Sequence, residues 1–574
     1  MTHNNKPNQS YIKSSFFTKF YPFRHLLLVG LIALNLPIVA IAAPPDAGQI
    51  LRDTKPATPL PPARQPEENL VPETAKPTAQ PSPSDDVRVT ISHFTFTGNV
   101  TFSEEVLHAA IADTENKPLN FGELMAVVDK VEAVYKKAGF FLAQAYLPPQ
   151  KIKDGTIEIS VSEGLIGQSR LEGESRIKPG VVYAYLDKLP KGAAVKLTEI
   201  ERQILLINDL AGSRATLDLQ ASDEAGKTDI VIAQKQDALI TGRVEVNNHG
   251  MESTGKNRTG VFLNVNSPLK RGDRLNANWV RSENGDLASY GLNYDLPIGA
   301  QGFHINAGTS LAQYSLGGIN SPLDASGTVR TYHAGASYSV LRSRNANLVF
   351  KLDAAHNDLG SHAAVTDSSL NRDSFTNGLS ATANIDWLDE WLGGGSNRAE
   401  IVVTGANLHL SATEKTDDSF NTDGRYGKAL VTLQRDQTIT SSVMLQAQAL
   451  HQIALKNLDS SEKFSIGGPT TLPGYASGEA SGDEGTLLKL KLNWRVRNDT
   501  ALGLFADYAH IDLAHDPLAG TDNKRHFSDA GLSLDWQGTQ GLTASMLVAW
   551  AGGEKPNPAD NDRPRFWANV GYNW

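Results

Sequence analysis

The chain has 574 residues and no cysteine, which excludes a disulfide framework, a thiolate metal site and a cysteine nucleophile. Its formal net charge of -10, with 53 Lys and Arg against 63 Asp and Glu, argues against a nucleic-acid-binding protein, which needs a strongly basic surface. A mean hydropathy of -0.30 argues against a bundle of membrane helices but not against a membrane β-barrel, whose alternating strands average out as polar.

The N-terminal segment carries the features of an export signal. A basic stretch precedes the apolar run 26–41, which ends in small residues with the spacing of a cleavage site. A membrane anchor is the alternative, but Asn35 and Pro37 interrupt a run that is already shorter than the ~20 apolar residues of a spanning helix. We therefore interpret residues 1–42 as a secretory signal peptide. No later run is longer, so any residence in a membrane must use strands.

A short helix and a linker are predicted next. Asp46 and Gln49 have the spacing of a capping box, which predicts a short helix within residues 43–54. Residues 55–86 are rich in proline and almost free of large apolar side chains. Such a segment cannot bury enough surface to fold and is typical of an extended linker.

Two segments with the same order of elements follow, residues 87–163 and 164–237. Each is predicted to form a strand, two helices and two further strands, and in the first segment a helix begins at Asn120 with Glu123 as its capping partner. A repeat of this kind predicts two small α+β domains, each with a sheet and two helices on one face. We call them the first and the second module.

The second module is predicted to cap its long helix with Thr198 and Glu201. In both modules the last strand, 156–162 or 229–234, is a candidate sheet edge. A free edge beside an amphipathic helix can accept an extended segment of another protein as an added strand.

Residues 238–574 change to stretches of about ten alternating residues, separated by Gly, Asn, Asp and Ser. In the stretch 488–497, apolar side chains alternate with four cations, Lys489, Lys491, Arg495 and Arg497. A soluble sandwich would place such charges in its core, whereas a wide barrel places them in a wet lumen. About sixteen such stretches fit a membrane all-β fold, a sixteen-stranded outer-membrane barrel.

Three further segments carry a family resemblance. They are PDAGQIL at 45–51, NNHG at 247–250, and KFSIGGPTTLPGY at 463–475. With the two modules and the barrel pattern, they make the chain similar to the hemolysin-activator-type transporters of two-partner secretion. The resemblance implies two periplasmic POTRA domains, a sixteen-stranded barrel in the outer membrane of a Gram-negative bacterium, and a loop, here 455–486, that folds into the barrel between its eleventh and twelfth strands.

The loop tip matches the family signature Val-Arg-Gly-Tyr/Phe with one departure. The matching residues here are Leu472, Pro473, Gly474 and Tyr475, so a proline replaces the family arginine. A second family motif, Phe-x-Asp-x-Gly on a neighbouring barrel strand, matches Phe505 and Asp507 but has Ala509 in place of glycine. In the family the arginine binds that aspartate, and this bond cannot form here.

Antiparallel pairing suggests a replacement for the missing bond. If the turn lies at 498–499, Asp507 faces the lumen beside Lys489 or Lys491 of the preceding strand. We hypothesise that these lysines neutralise Asp507 and that Gly474 and Tyr475 hold the tip by packing. The alternative is that Asp507 is one more solvated acid of the lumen.

Other motifs give no support for catalysis or for a cofactor. Residues 250–257 approach the spacing of a phosphate loop, but a strand follows where a helix is needed, which favours a hairpin turn. The 14 histidines are scattered, and no pair has metal-ligand spacing with a third partner nearby. Acidic residues in the 479–484 loop are most simply solvated. We expect no catalytic residue, no metal and no cofactor.

The predicted function is passage of a large, repeat-rich secreted partner protein through the barrel without ATP, after recognition by the modules. An assembly factor of the same superfamily and a passive porin are the alternatives. Outer-membrane lipid and the barrel-assembly machinery, which would meet the last strand ending at Trp574, are the other expected partners of a monomer that binds no nucleic acid. The type of cargo stays open: a cytolysin, an adhesin, a haem-acquisition protein or a toxin.

Overall fold

The computed structural model describes residues 44–54, 88–224, 226–364, 371–554 and 563–574. The predicted signal peptide and the predicted linker 55–86 lie outside the described residues. Among the described residues, no helix combines the length and the apolar character needed to cross a membrane.

The first module is a three-stranded sheet with helices on one face. Its central strand is the last one, Thr156–Ser162, which pairs in parallel with the strand His93–Thr97 and antiparallel with the strand Gln144–Tyr146. Leu124, Val131 and Tyr135 of the long helix pack into the core of the module. That helix begins at Asn120, where the side chains of Asn120 and Glu123 cap each other's backbone N–H as predicted. The elements up to this point are α1 (Ala47–Thr54), β1 (Val89–Ile91), β2 (His93–Thr97), α2 (Glu104–Ile111), β3 (Lys117–Leu119), α3 (Phe121–Lys137), β4 (Gln144–Tyr146) and β5 (Thr156–Ser162).

The second module repeats this sheet order. Its elements are β6 (Leu165–Gly173), α4 (Pro179–Leu186), α5 (Leu197–Asp209), β7 (Ser213–Ala221) and β8 (Lys227–Gln236). Strand β8 is central, parallel to β6 and antiparallel to β7. The expectation that strands 156–162 and 229–234 form sheet edges is therefore wrong in both modules. The last strand enters the middle of the sheet because it pairs with the first strand in parallel, across the two helices.

The predicted cap of α5 is also wrong. The helix begins one residue earlier than Thr198, with the side chain of Glu199 bonded to the N–H of Lys196. Glu201 lies on the buried side of the helix and forms an ion pair with Arg344 of the barrel. Its acidic side chain serves a contact between domains, which a local capping pattern cannot reveal.

Sixteen antiparallel strands form a closed barrel, as predicted, and the last strand pairs with the first. They are β9 (Ile240–Asn247), β10 (Arg258–Asn266), β11 (Arg274–Ser282), β12 (Leu287–Ile298), β13 (Phe303–Ser315), β14 (Ala325–Arg342), β15 (Ala346–Ala363), β16 (Arg372–Asp389), β17 (Gly395–His409), β18 (Gly424–Thr438), β19 (Val443–Ala454), β22 (Glu484–Arg497), β23 (Thr500–Asp512), β24 (Lys524–Gln537), β25 (Leu542–Ala551) and β26 (Arg565–Asn573). Helix α6 (Ala412–Asp417) and a small hairpin of β20 (Phe464–Ile466) and β21 (Ala480–Gly482) lie in connections. Short 3-10 turns occupy Ala112–Thr114, Glu252–Thr254, Gly318–Leu323, Trp391–Gly393 and Thr539–Gly541.

The barrel strands alternate in exposure as a membrane barrel requires. On β22, Leu488, Leu490 and Trp494 are about half exposed, whereas Leu487 is fully buried. The same alternation on the other strands puts large apolar side chains on the outside, where they meet lipid. Buried side chains of opposite parity therefore face the lumen.

The second module docks on the barrel through α5. The Arg202 guanidinium donates to the carbonyls of Ser339, Val340 and Gln301, at distances of 2.8, 3.3 and 3.3 Å. Leu210 packs so closely on Gly272 that a Cβ there would lie 2.7 Å from that of Leu210. Helix α5 is thus fixed to three turns at one end of the barrel.

Candidate functional site

Helix α1 lies inside the barrel. Its buried residues Ala47 and Ile50 pack on lumen-facing side chains of strands β12 to β15, including Leu287, Tyr314 and Val329. The helix has eight residues, of which two apolar side chains are buried and a third, Leu51, is partly buried against the same cluster. Its attachment therefore depends on polar contacts.

Arg372 is the centre of these contacts. Its guanidinium donates to Asp46, just before α1, at 2.8 Å, and forms a second ion pair with Asp459 of the loop that follows β19. Glu414 of α6 is 3.6 Å away. Arg372 is nine-tenths buried, so these carboxylates compensate a charge that water does not reach.

Two more arginines hold the other end of α1. Arg258 of β10 donates to Asp53 at 2.6 Å. Arg52 of the helix itself donates to the carbonyl of Lys463 in the loop, at 3.1 Å. The helix is thus bound to the barrel wall and to the loop by separate charged groups.

The loop between β19 and β22, residues 455–483, also folds into the lumen. Its β20–β21 hairpin buries Phe464 and Ile466 against lumen-facing residues of β22, β23 and β24. Lys463 forms an ion pair with the fully buried Asp483 at the end of the loop, so the expectation that the acids of 479–484 are solvated is wrong for Asp483. Counted from β9, the loop joins the eleventh and twelfth barrel strands, and this is the position that the resemblance implied.

Helix α1 and the loop touch directly. A Cβ on Gly48 would lie 2.2 Å from the Ser460 hydroxyl and 2.5 Å from the Ser461 nitrogen, so only glycine fits there. The Ser460 hydroxyl also donates to Asp46 at 2.6 Å. Movement of either element therefore disturbs the other.

The loop tip is bound to the wall by backbone groups and one aromatic ring. The Gly474 N–H donates to Asp529 at 2.5 Å, and the Trp567 indole donates to the Pro473 carbonyl at 2.8 Å. Tyr475 is fully buried, packs edge-on against Phe527 and donates its hydroxyl to the carbonyl of Glu554 at 2.9 Å. Leu472 is fully buried beside them.

Asp507 lies on the lumen side of β23 directly opposite Lys489 of β22. Neither of its carboxylate oxygens accepts a hydrogen bond from the described residues. Lys489 donates to the Thr470 carbonyl of the loop at 2.5 Å, and Lys491 binds Asp535 at 3.1 Å. The strand pairing therefore brings Lys489 beside Asp507, but both lysines direct their ammonium groups to other acceptors.

A second copy of the Phe-x-Asp-x-Gly motif, not predicted from the sequence, lies on the next strand. Phe527, Asp529 and Gly531 of β24 have the complete Phe-x-Asp-x-Gly spacing. Strands β23 and β24 are antiparallel, so the two copies of the motif run in opposite directions. Asp507 therefore lies opposite Asp529, and Phe505 lies opposite Gly531. A Cβ on Gly531 would lie 2.3 Å from the Phe505 ring, so the glycine makes room for that ring. The signal that could have revealed this copy is the sequence FSDAG at residues 527–531.

The four predicted lumen cations do not form one stripe. Lys489 contacts the loop and Lys491 contacts β24, as described above. Arg495 and Arg497 are exposed at the far end of β22, on either side of a bulge where the pairing with β23 is irregular. The alternation was predicted correctly up to this bulge, which a period of two cannot anticipate.

Comparison with known proteins agrees with this architecture. The sequence model of the haemolysin secretion/activation proteins ShlB/FhaC/HecB matches residues 226–535, more than half of the chain. The chain belongs to this family. The ShlB-type POTRA domain matches residues 89–164, the first module.

Two curated relatives and one solved structure are similar to this chain over most of its length. The heme/hemopexin transporter protein HuxB of Haemophilus influenzae (strain ATCC 51907 / DSM 11121 / KW20 / Rd) is 24% identical over 488 residues, 82% of this chain and 84% of HuxB. The outer membrane transporter CdiB of Escherichia coli O6:K15:H31 (strain 536 / UPEC) is 24% identical over 499 residues, 80% of this chain and 82% of CdiB. The structure of CdiB from Escherichia coli has a TM-score of 0.69 and 19% identity, covering 93% of this chain and all of that one.

The predicted family and the predicted localisation are therefore correct. The protein is an outer-membrane β-barrel translocator of two-partner secretion, with periplasmic POTRA modules, and the family transports secreted partner proteins. In this setting the contents of the barrel have a functional meaning: α1 and the loop occupy the path that the exported chain must take.

Proposed function

We propose that this protein exports one large, repeat-rich partner protein and that α1 and loop 455–483 form the closed gate of its barrel. The observation that carries the proposal is the direct contact of the two elements inside a closed sixteen-stranded barrel, with Arg372 bonded to both. An open barrel of this width would leak small solutes, so a transporter needs a gate that opens only for cargo.

Polar attachment suits a gate that must open. The apolar part of the contact of α1 is small, and its ion pairs can be replaced by water once the lumen begins to hydrate. Residues 55–87 are enough chain to span up to roughly 110 Å when extended. Helix α1 can then leave the lumen while the modules remain where they are.

Cargo recognition is proposed at the free edge of β6 in the second module. This strand has nine residues, whereas the edges β2 and β4 of the first module have five and three. The other edge of the second module, β7, has its Ala215 N–H and C=O occupied by the side chain of Asn208. The outer edge of β6 is occupied at Leu165, which forms a bridge with Ala194, so residues 166–173 offer an extended cargo segment its longest free row of backbone groups.

The proposed cargo belongs to one of four classes of secreted protein. HuxB is named for heme and hemopexin, and a haem-acquisition protein is accordingly one candidate beside a cytolysin, an adhesin or a toxin. The proposal includes two further partners, which are outer-membrane lipid around the apolar belt and the barrel-assembly machinery at the C-terminal strand that ends near Trp574. The protein is proposed to be a monomer. No catalytic step is part of the proposal.

The test is removal of the gene in the host, followed by analysis of the exported partner in the periplasm and at the surface. We expect the partner to accumulate in the periplasm and return to the surface on complementation. Unchanged surface display would contradict the export function. Defects in many unrelated outer-membrane proteins would instead favour the assembly-factor alternative, and a steady large conductance of the purified wild-type protein would favour a porin.

The docking edge has its own test, which the absence of native cysteine makes unambiguous. A single cysteine is introduced as Glu172→Cys on β6 or, as the matched control, as Asp218→Cys on the opposite edge β7; both side chains are exposed. We expect a bifunctional thiol reagent to crosslink cargo carrying one cysteine to position 172 and not to 218. The reverse result would assign recognition to β7.

A further inference from the structure

Two histidines and a glutamate meet on the first module, away from the barrel. His93 begins β2, His108 lies in the last turn of α2, and Glu115 follows the 3-10 turn after that helix. The three residues offer ligand atoms that all lie within 4.8 Å of one another. The histidines are 15 positions apart in sequence, so only the fold brings them together.

One pair of these atoms already has the spacing of a tetrahedral metal site, and the third ligand lies within reach of it. The His108 Nδ1 is 3.1 Å from Glu115 Oε1, and the His93 Nδ1 is 4.0 Å from the same oxygen. Ligands about 2.0–2.2 Å from a zinc ion are separated by roughly 3.3 Å in a tetrahedron. The first distance needs almost no change, and the second needs a small rotation of His93, whose side chain is more than half exposed.

The surroundings hold His108 and Glu115 in place, whereas His93 is free to turn. The two imidazoles stack with centroids 5.1 Å apart, and the Phe96 ring packs edge-on against His108 at 5.0 Å. The N–H of Asn116, next to Glu115, donates to the Ile91 carbonyl at 2.8 Å, which fixes the backbone that carries the carboxylate. His108 and Glu115 therefore lose little conformational freedom when an ion binds.

We propose that His93, His108 and Glu115 form a binding site for a divalent transition-metal ion such as Zn²⁺. Imidazole and carboxylate suit zinc, nickel and copper, whereas calcium and magnesium prefer sites built from oxygen alone. Three protein ligands leave a fourth position for water or for a donor group from outside. The bound ion links the start of β2 to the end of α2, two elements that otherwise meet by packing.

The experiment uses the full chain, purified in detergent without a histidine tag and freed of metal by chelation. Titration calorimetry with ZnCl₂ is expected to show one saturable site per chain. His93→Ala, His108→Ala and Glu115→Gln each weaken binding by at least about tenfold, the range seen on disturbing metal sites. His356→Ala, a barrel histidine bonded to Asn377 and Asp358, is the control and leaves binding unchanged.

A second measurement identifies the geometry. Co²⁺ in place of Zn²⁺ is expected to give the visible absorption of a tetrahedral ion, and the band is lost in His93→Ala. This variant decides the matter if His108→Ala fails to fold, because His93 is exposed and its ring supports no core contact. Absence of saturable Zn²⁺ binding by the wild-type chain, or binding that survives His93→Ala at full strength, overturns the proposal.

Discussion

Asp507 and Asp529 face each other across β23 and β24, but only Asp529 has a direct bond to the loop tip. Three of their four carboxylate oxygens accept no hydrogen bond from the described residues. The cation nearest in the pairing, Lys489, is bonded to the loop instead. The pair therefore resembles a receptor site whose cationic ligand is missing, at the place where the family has an arginine and this chain has Pro473.

Alanine substitutions at the two aspartates are expected to have different effects on the frequency of channel opening. Asp529→Ala leaves the buried Gly474 N–H without an acceptor, which costs about 1–3 kcal/mol and releases the tip. Since 1.4 kcal/mol corresponds to a factor of ten, the frequency of channel opening in planar bilayers rises roughly tenfold. Asp507→Ala is the matched control: it removes a carboxylate without a hydrogen bond, and the opening frequency stays near that of the wild type. Equal effects of both variants on the opening frequency would contradict the conclusion that only Asp529 holds the loop tip.

Restoring the family arginine gives a second prediction. Pro473→Arg brings a guanidinium to a pair of acids with unused acceptor oxygens, where a charged hydrogen bond contributes about 1.5–3 kcal/mol. The loop is then held more tightly, so spontaneous channel openings become rarer and export of cargo slows. Pro473→Ala separates this gain from the loss of proline and is expected to lack the effect. More frequent openings in Pro473→Arg would show that the pocket does not accept the cation.

At the scale of secondary-structure elements, α1 and the loop form one unit because Arg372 binds both. Arg372→Ala leaves Asp459 buried without its main partner, and breaking a buried pair in this way costs about 3–5 kcal/mol. We expect large, frequent channel openings and protease access to α1 in purified protein. Arg435→Ala is the control, since it removes an ion pair with Asp389 at the barrel rim and leaves the gate intact. Release of the loop with α1 still protected would show that the two move independently.

The sequence predicted those features of the elements that depend on neighbouring residues. It failed for features that depend on residues far apart in the chain. Alternation along a strand placed Phe505 and Asp507 on the lumen side, and the 498–499 turn gave their pairing with β22. The sheet edges were wrong because parallel pairing of β5 with β2 spans some sixty residues and leaves no local pattern. For the same reason the scattered histidines gave no hint that His93 and His108 meet.

The misassigned cap of α5 has the same origin. Glu201 follows Thr198 at capping-box spacing, yet its side chain is needed for Arg344 of the barrel. Local patterns describe a helix as if it were alone, whereas this helix is shared by a module and a barrel. Likewise, nothing in the eight residues of α1 indicates that they lie inside a barrel; the capping pattern predicted only that a helix forms, which it does.

At the scale of the whole molecule, α5 connects the barrel to the second module, where we propose that cargo is recognised. Glu201 and Asp209 bind Arg344 and Arg342 at the turn after β14, and neither pair touches α1 or the loop. The double variant Glu201→Ala and Asp209→Ala is therefore expected to loosen the docking of the second module without opening the gate. Secretion falls several-fold, whereas the conductance of the resting channel stays that of the wild type.

Electron spin resonance distances between single labels on the module and the barrel, introduced into the cysteine-free chain, are expected to broaden in this double variant. The matched control is Asp187→Ala, which removes an exposed ion pair with Lys191 within the same module. A rise in resting conductance would mean that the docked module itself keeps the gate closed. Unchanged secretion with broadened distances would mean that cargo reaches the barrel without a fixed module, and recognition at β6 would then serve only to concentrate it.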